Sequence, residues 1–166
     1  MTVLILGANG MLGSAMAHAF SETGNFSVWG TIRSSAPTID LKLEAGNLIT
    51  GVEASDVDSL LMALAKAKPT LVINCIGLIN KIAFAEDPLR AIPVNSILPH
   101  RLARMCASAG ARLVHFSTDC VFSGNKGDYR ESDIADAIDV YGRTKLLGEV
   151  DYPNAITLRT SFIGHE

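Results

Sequence analysis

Apolar positions along the chain fall into short, nearly unbroken runs that alternate with longer stretches of helical period. Residues 3–6, 26–30, 71–75, 113–116 and 156–158 are compact blocks rich in aliphatic and β-branched side chains, which predicts strands. Residues 11–22, 57–66, 94–109 and 140–149 carry Ala and Leu at three- and four-residue spacing, which predicts helices. Strand followed by helix, repeated, means crossover units and a parallel sheet. The strand runs are apolar throughout rather than alternating, as expected where helices cover both faces. The predicted fold class is α/β, a doubly wound parallel sheet of the Rossmann type, in one domain spanning residues 1–166. Pro69 stands before the strand at 70–75, and Gly110 closes the helix that ends near Ala109. Pro93 and Pro99 fall around the start of that helix, so its first turns should be bent or displaced. Residues 123–133 read as a polar surface loop.

Composition narrows the class further. Of 166 residues 48% are hydrophobic, 19% charged and 6% aromatic, which excludes disorder, collagen and coiled coil. Fourteen Lys plus Arg against 17 Asp plus Glu leave a net charge of −3 without a basic cluster, so no nucleic-acid partner is expected. The three cysteines, Cys75, Cys106 and Cys120, are odd in number and far apart; they read as small buried hydrophobes rather than a disulfide or metal set. A reducing cytoplasm suits them. Ala15-Met16-Ala17 resembles a signal-peptidase site, but no Lys or Arg precedes the apolar run, which Gly7 cuts short. No apolar stretch reaches membrane-spanning length.

The first strand runs into Gly7-Ala8-Asn9-Gly10-Met11-Leu12-Gly13 and then a helix. In that context Gly7 permits a tight turn, Gly10 lets backbone amides approach a pyrophosphate at the helix N-terminus, and Gly13 lets helix and strand pack closely. A site selective for NAD would place an acid at the tip of the second strand; the tip here reads Thr31-Ile32-Arg33-Ser34-Ser35, with no acid until Asp40. Arg33 can pair with a 2′-phosphate, with the hydroxyls of Thr31 and Ser34 beside it, which favours NADP(H) over NAD(H). Tyr141 and Lys145 stand four apart and so share a helical face, where an ammonium favours the phenolate. At the end of another strand, Ser117 and Thr118 lie where open parallel sheets bind substrates; Thr118 can hydrogen-bond a carbonyl oxygen that Tyr141 protonates, and a turn or cap is the other role open to both hydroxyls.

These motifs, with Asn74, Asn95, Phe116-Ser117-Thr118-Asp119-Cys120-Val121-Phe122-Ser123-Gly124, Tyr129-Arg130-Glu131 and Tyr141-Gly142-Arg143-Thr144-Lys145-Leu146-Leu147-Gly148-Glu149, resemble in order the extended short-chain dehydrogenase/reductases. They are most similar to the dTDP-4-dehydrorhamnose reductases and related sugar-nucleotide reductases, over residues 3–164. The resemblance implies Tyr141 as proton donor to the reduced carbonyl, Lys145 holding the nicotinamide ribose and lowering the phenol pKa, Thr118 orienting the keto oxygen and Asn95 holding a water in the proton path. It places Gly7, Asn9, Gly10, Met11 and Leu12 along the pyrophosphate and Thr31 with Arg33 at the 2′-phosphate. Val52 and Glu53 would flank adenine, and Cys75, Ile76 and Gly77 would pass beneath the ribose and nicotinamide, with Gly13 and Ser117 completing the cofactor site. The nonredox readings are core packing for Val52 and Cys75, a strand-end cap for Asn74 and a helix cap for Asn95.

The implied activity is NADPH-dependent reduction of a nucleoside-diphosphate 4-keto-hexose. The alternatives are a nucleotide-sugar epimerase or dehydratase, or a noncatalytic NADP-binding regulatory subunit. The implied partners are a nucleotide-sugar substrate and, as one option, a second copy of the chain; no metal is implied. Three departures stand around the substrate: Cys120 in place of a Tyr, Ile76-Gly77 in place of a small pair, and Ala137 in place of a Pro. Family members continue past the segment matching residues 159–164 into a smaller region that caps the sugar nucleotide. The expectation is therefore either a fragment or a chain that lacks half of its cleft.

Overall fold

The computed structural model describes residues 1–79 and 86–161. Six parallel strands form one sheet in the order β3-β2-β1-β4-β5-β6: β1 Thr2–Leu6, β2 Ser27–Thr31, β3 Leu48–Ile49, β4 Leu71–Asn74, β5 Arg112–Ser117 and β6 Ala155–Arg159. The helices are α1 Met11–Glu22, α2 Val57–Ala67, α3 Pro88–Ala91, α4 Leu98–Ser108 and α5 Val140–Leu147. Val3, Leu4 and Ile5 of the central strand are fully buried and divide two cores. On one face Leu4 and Leu6 pack with Leu60, Leu64, Leu102 and Leu113 from α2, α4 and β5. On the other, Val3 and Ile5 pack with Ala17 of α1 and with Val28 and Ile73. Burial on both faces is why the strands read as unbroken apolar runs.

Strand order reverses between β1 and β4, which opens a crevice at their carboxyl ends. The chain leaves β1 through Gly7, whose φ of +78° suits glycine, and Ala8 N–H donates to Thr31 O at 2.8 Å. A Cβ on Gly13 would collide with the Gly7 carbonyl, so the close packing expected of this glycine is present.

The third long helix differs from the expected 94–109. It begins at Pro88, capped by the Asp87 side chain accepting from Leu89 N–H, and runs to Ser108 through a π-helical segment at Ile92–Ile97. Pro93 and Pro99 have no amide hydrogen to give to an α ladder. The wide turn accommodates the first of them: Leu98 N–H reaches back five residues to Pro93 O. The prolines therefore widen a helix rather than start one. β2 also runs one residue past the expected 26–30, and α5 ends two residues before Glu149.

Candidate active site

At the start of α1, Gly10 offers no side-chain cap, whereas Asp56, Asp87 and Asp139 cap α2, α3 and α5. The first amides of α1, at Met11 and Leu12, thus face the crevice without a side chain bonded across them, which suits a pyrophosphate. Asn9 Oδ1 accepts from Thr38 N–H at 2.9 Å and from Thr38 Oγ1 at 3.1 Å, tying the glycine turn to the loop after β2. Thr31 departs from its expected place beside a phosphate. It is 1% exposed, and its Oγ1 accepts from Gly7 N–H at 3.3 Å, because β2 continues through it and turns its side chain inward. Val52 likewise lies in the core, at 5% exposure against Leu60, rather than on an open adenine face. Arg33 remains outside, with Nε 4.0 Å from Glu53 Oε1.

Beyond β4, Asn74 acts as the strand-end cap: its Oδ1 accepts from Ile76 N–H at 3.1 Å, and its amide pairs with His115 Nδ1 at 3.1 Å. The next residues are clamped from the π segment. Asn95 Oδ1 accepts from Leu78 N–H at 2.9 Å while its Nδ2 donates to Leu78 O at 3.0 Å and to Thr144 Oγ1 at 3.3 Å. Both amide hydrogens are engaged, so only a lone pair of Oδ1 remains for a water. Ser96 Oγ donates to Thr144 O at 2.8 Å, and a Cβ on Gly148 would collide with the Asn95 carbonyl. α5 is thereby seated against the widened turn.

That seating brings Tyr141 and Lys145 to the end of β5. Lys145 is 5% exposed, and Nζ donates to Phe116 O at 2.6 Å. A Cβ added to Gly77 would sit 3.7 Å from Asn95 Oδ1 and 3.9 Å from Lys145 Nζ, so β4, the π segment and α5 meet at one glycine. Burial draws the Lys145 pKa down to about 8, with Glu149 acting the other way. Burial pushes the Tyr141 phenol above its ordinary value, and a hydrogen bond with Thr118 opposes it. The expected lowering of the phenol by Lys145 is not what this geometry gives: the ammonium is held by the Phe116 carbonyl, and desolvation governs Tyr141.

Thr118 caps a 3₁₀ turn at Asp119–Val121, its Oγ1 accepting from Cys120 N–H at 3.1 Å. Asp119 accepts hydroxyl hydrogen bonds from Ser161 and Thr118, which hold its carboxyl below the usual range while burial acts the other way. A hollow of about 380 Å³ opens beside this turn, lined by Asp119, Cys120 and Phe122 on one side and Tyr129, Arg130 and Arg159 on the other. A larger hollow of about 790 Å³ lies along the outer edge of β6, away from Tyr141. Cys106 is buried and Cys75 packs against the second core, where burial pushes its thiol up to about 12, so of the three thiols only the exposed Cys120 departs from the buried hydrophobe expected.

Two partners at the site carry no signal in spacing. Arg159 meets Glu149 through two parallel contacts of 2.8 Å, and Ser117 Oγ donates to Glu149 Oε1 at 2.8 Å. The Ser117 hydroxyl is thus turned to this pair, which ties β5, β6 and the end of α5 together. His115, a polar residue in an apolar strand, is fully buried, and its Nε2 has no partner among the described residues. Its position inside a strand run is the one sequence signal that marks it. The Phe162-Ile163-Gly164 part of the terminal motif lies outside the described residues.

A family model described as RmlD substrate binding domain matches residues 1–164. A protein of Haloferax volcanii named "Probable low-salt glycan biosynthesis reductase Agl14" is 34% identical over 168 residues, covering 98% of this chain and 54% of its own. The methionine adenosyltransferase 2 subunit beta of Bos taurus is 31% identical over 147 residues, covering 89% of this chain and 41% of its own. A crystal structure of a dTDP-4-dehydrorhamnose reductase from Clostridium acetobutylicum superimposes with a TM-score of 0.76 at 28% identity, over 97% of this chain and 53% of that one. Other solved structures of this fold hold NADP or NAD. The chain spans about half the length of the relatives it matches.

Proposed function

The chain belongs to the RmlD substrate binding domain family, and from that premise we propose that it is the dinucleotide-binding and catalytic part of an NADP(H)-dependent ketoreductase acting on a nucleoside-diphosphate 4-keto-hexose. The observation that carries this reading is the meeting of Tyr141, Lys145 and Thr118 at the end of β5 with Gly77 and the uncapped start of α1 across the same crevice.

The residues fit the dinucleotide. Gly7 and Gly10 would leave room for the pyrophosphate at the Met11 and Leu12 amides, Arg33 would meet the 2′-phosphate, and Cys75, Ile76 and Gly77 would form the floor. When bound, the cofactor supplies the reducing equivalent at its nicotinamide ring. Tyr141 delivers the proton to the keto oxygen, and Thr118 orients that oxygen. Burial that raises the phenol pKa keeps the proton on Tyr141 until the carbonyl oxygen gathers charge. Lys145, whose Nζ is held at the end of β5 by the Phe116 carbonyl, would hold the ribose hydroxyls. Asn95 positions Gly77 and Leu78 through its two backbone contacts.

The test is NADPH oxidation, followed by absorbance, with a panel of 4-keto nucleotide sugars and a chain that carries the C-terminal region its relatives possess. Net oxidation with one of them is the expected result. Interconversion of sugars without net oxidation would mean an epimerase. Tight NADPH binding with no turnover on any sugar would favour a regulatory subunit, a reading that the likeness to methionine adenosyltransferase 2 subunit beta supports.

A further inference from the structure

We propose that Glu149 is a positioning residue for the reaction, acting through Ser117 to fix where Thr118 stands against Tyr141. The inference rests on the ketoreductase reading above and assigns a role within it. Tyr141, Lys145 and Glu149 follow one another at four-residue intervals, so they fall on one side of α5 and the turn that ends it. Each meets a different one of three consecutive residues at the end of β5. Lys145 Nζ donates to Phe116 O at 2.6 Å, Ser117 Oγ donates to Glu149 Oε1 at 2.8 Å, and Thr118 is hydrogen-bonded to Tyr141. The middle contact pins the residue that joins the other two. Ser117 is 2% exposed and its hydroxyl is given to Glu149, so it serves the reaction end without offering that hydroxyl to a cofactor.

The carboxylate is firmly aimed. Arg159 Nε donates to Oε1 and Nη2 to Oε2, both at 2.8 Å, with the two side chains 23% and 17% exposed. Such a bidentate pair fixes orientation as well as distance. Arg159 stands opposite Ser117 in the β5–β6 register, and its guanidinium lies 5.1 Å from the centre of the Phe122 ring. α5 has only eight residues, so contacts at its ends decide where its side chains point. Asp139 sets the start by accepting from Gly142 N–H at 2.8 Å. At the other end Gly148 abuts the Asn95 carbonyl, and Glu149 is the contact on the opposite side, toward β5 and β6. Releasing Glu149 from Ser117 therefore frees Thr118 to move against the phenol, and a shift of about 1 Å between reacting groups can cost about 10²-fold in rate.

The experiment compares wild type, Ser117→Ala, Glu149→Gln and Glu149→Ala by two readouts. The first is the NMR signal of the Tyr141 ring carbon that bears the hydroxyl, identified by its loss in Tyr141→Phe; it follows the bond to Thr118 without need of a substrate. The second is kcat and KM for NADPH oxidation with the 4-keto nucleotide sugars, in a chain that carries the C-terminal region. Ser117→Ala removes one hydrogen bond and leaves the Glu149–Arg159 pair intact, so it keeps the test open should Glu149→Ala fail to fold. Ser117→Ala is expected to shift the Tyr141 signal and lower kcat by about 10- to 100-fold, with NADPH affinity within about 2-fold of wild type. Glu149→Ala should do the same, and Glu149→Gln, which keeps an acceptor for Ser117, should recover most of the loss. An unmoved Tyr141 signal or an unchanged kcat in Ser117→Ala, or a loss of NADPH affinity in place of kcat, would overturn the inference and leave the ketoreductase reading standing. Wild type that reduces none of the sugars would overturn that reading, and the Tyr141 signal would then decide by itself whether Glu149 sets Thr118 against Tyr141.

Discussion

Gly148 shows how tightly single positions are specified around the crevice. The Asn95 carbonyl occupies the space a Cβ would need, so Gly148→Ala must push α5 off the π segment. The expected cost is about 1–3 kcal/mol, read as a lower urea midpoint. Tyr141→Phe removes a proton and little packing. In an extended chain it should lower the reductive rate by about 10²–10⁴-fold while NADPH affinity stays within a factor of about two; a wild-type rate in that variant would remove Tyr141 from the reaction. His115 answers to pH instead. Burial first, then the nearby Lys145 and His100 charges, draw its pKa from 6.5 to about 3. The unfolded chain therefore binds the extra proton between those values, and the stability from this residue is lost as pH falls from 6.5 toward 3. The loss is on the order of 4 kcal/mol over the full window. His115→Leu should be less stable at pH 7.5, since it strands the Asn74 amide, yet lose less stability than wild type between pH 6.5 and 4.5.

Among the elements, the π segment does the positioning, and it tests how far a sequence can be read. Asn95→Ala breaks two contacts with Leu78 and one with Thr144, so hydrogen exchange at the Leu78 amide should quicken and stability fall by about 2–3 kcal/mol. β1, its glycine turn and α1 were legible because an apolar run, three glycines and a helical pattern sit side by side. The helix start at Pro88 was not, although Asp87-Pro88 is a cap followed by proline at the first helical position, because Pro93 and Pro99 read locally as breakers. β3 is two residues long, too short for any period. A one-residue extension of β2 buried Thr31, and an early end to α5 left Glu149 free to turn toward Arg159. Thr118, Tyr141 and Lys145 could be nominated from type and spacing; the contacts that hold them come from residues dozens of positions away.

For the molecule as a whole, the sheet order puts the first strand made in the middle. β1 is hydrogen-bonded to β2 on one side and to β4 on the other, with Val3 opposite Val28 and Leu71. At the far edge, Ile156 and Leu158 of β6 are 47% and 42% exposed, and Leu146 lines the hollow along this edge. This apolar strip should make the 166-residue chain associate as concentration rises, and Leu158→Lys should return it to a monomer in sedimentation velocity. The central place of β1 also has a consequence in time. A ribosome adds about 5–20 residues per second, so the 65 residues from Leu6 to Leu71 leave one side of the most apolar strand without its neighbour for about 3–13 s, far longer than a chain takes to collapse. Nascent chains arrested before β4 emerges should therefore be held by chaperones or aggregate, and those arrested after β5 should resist protease.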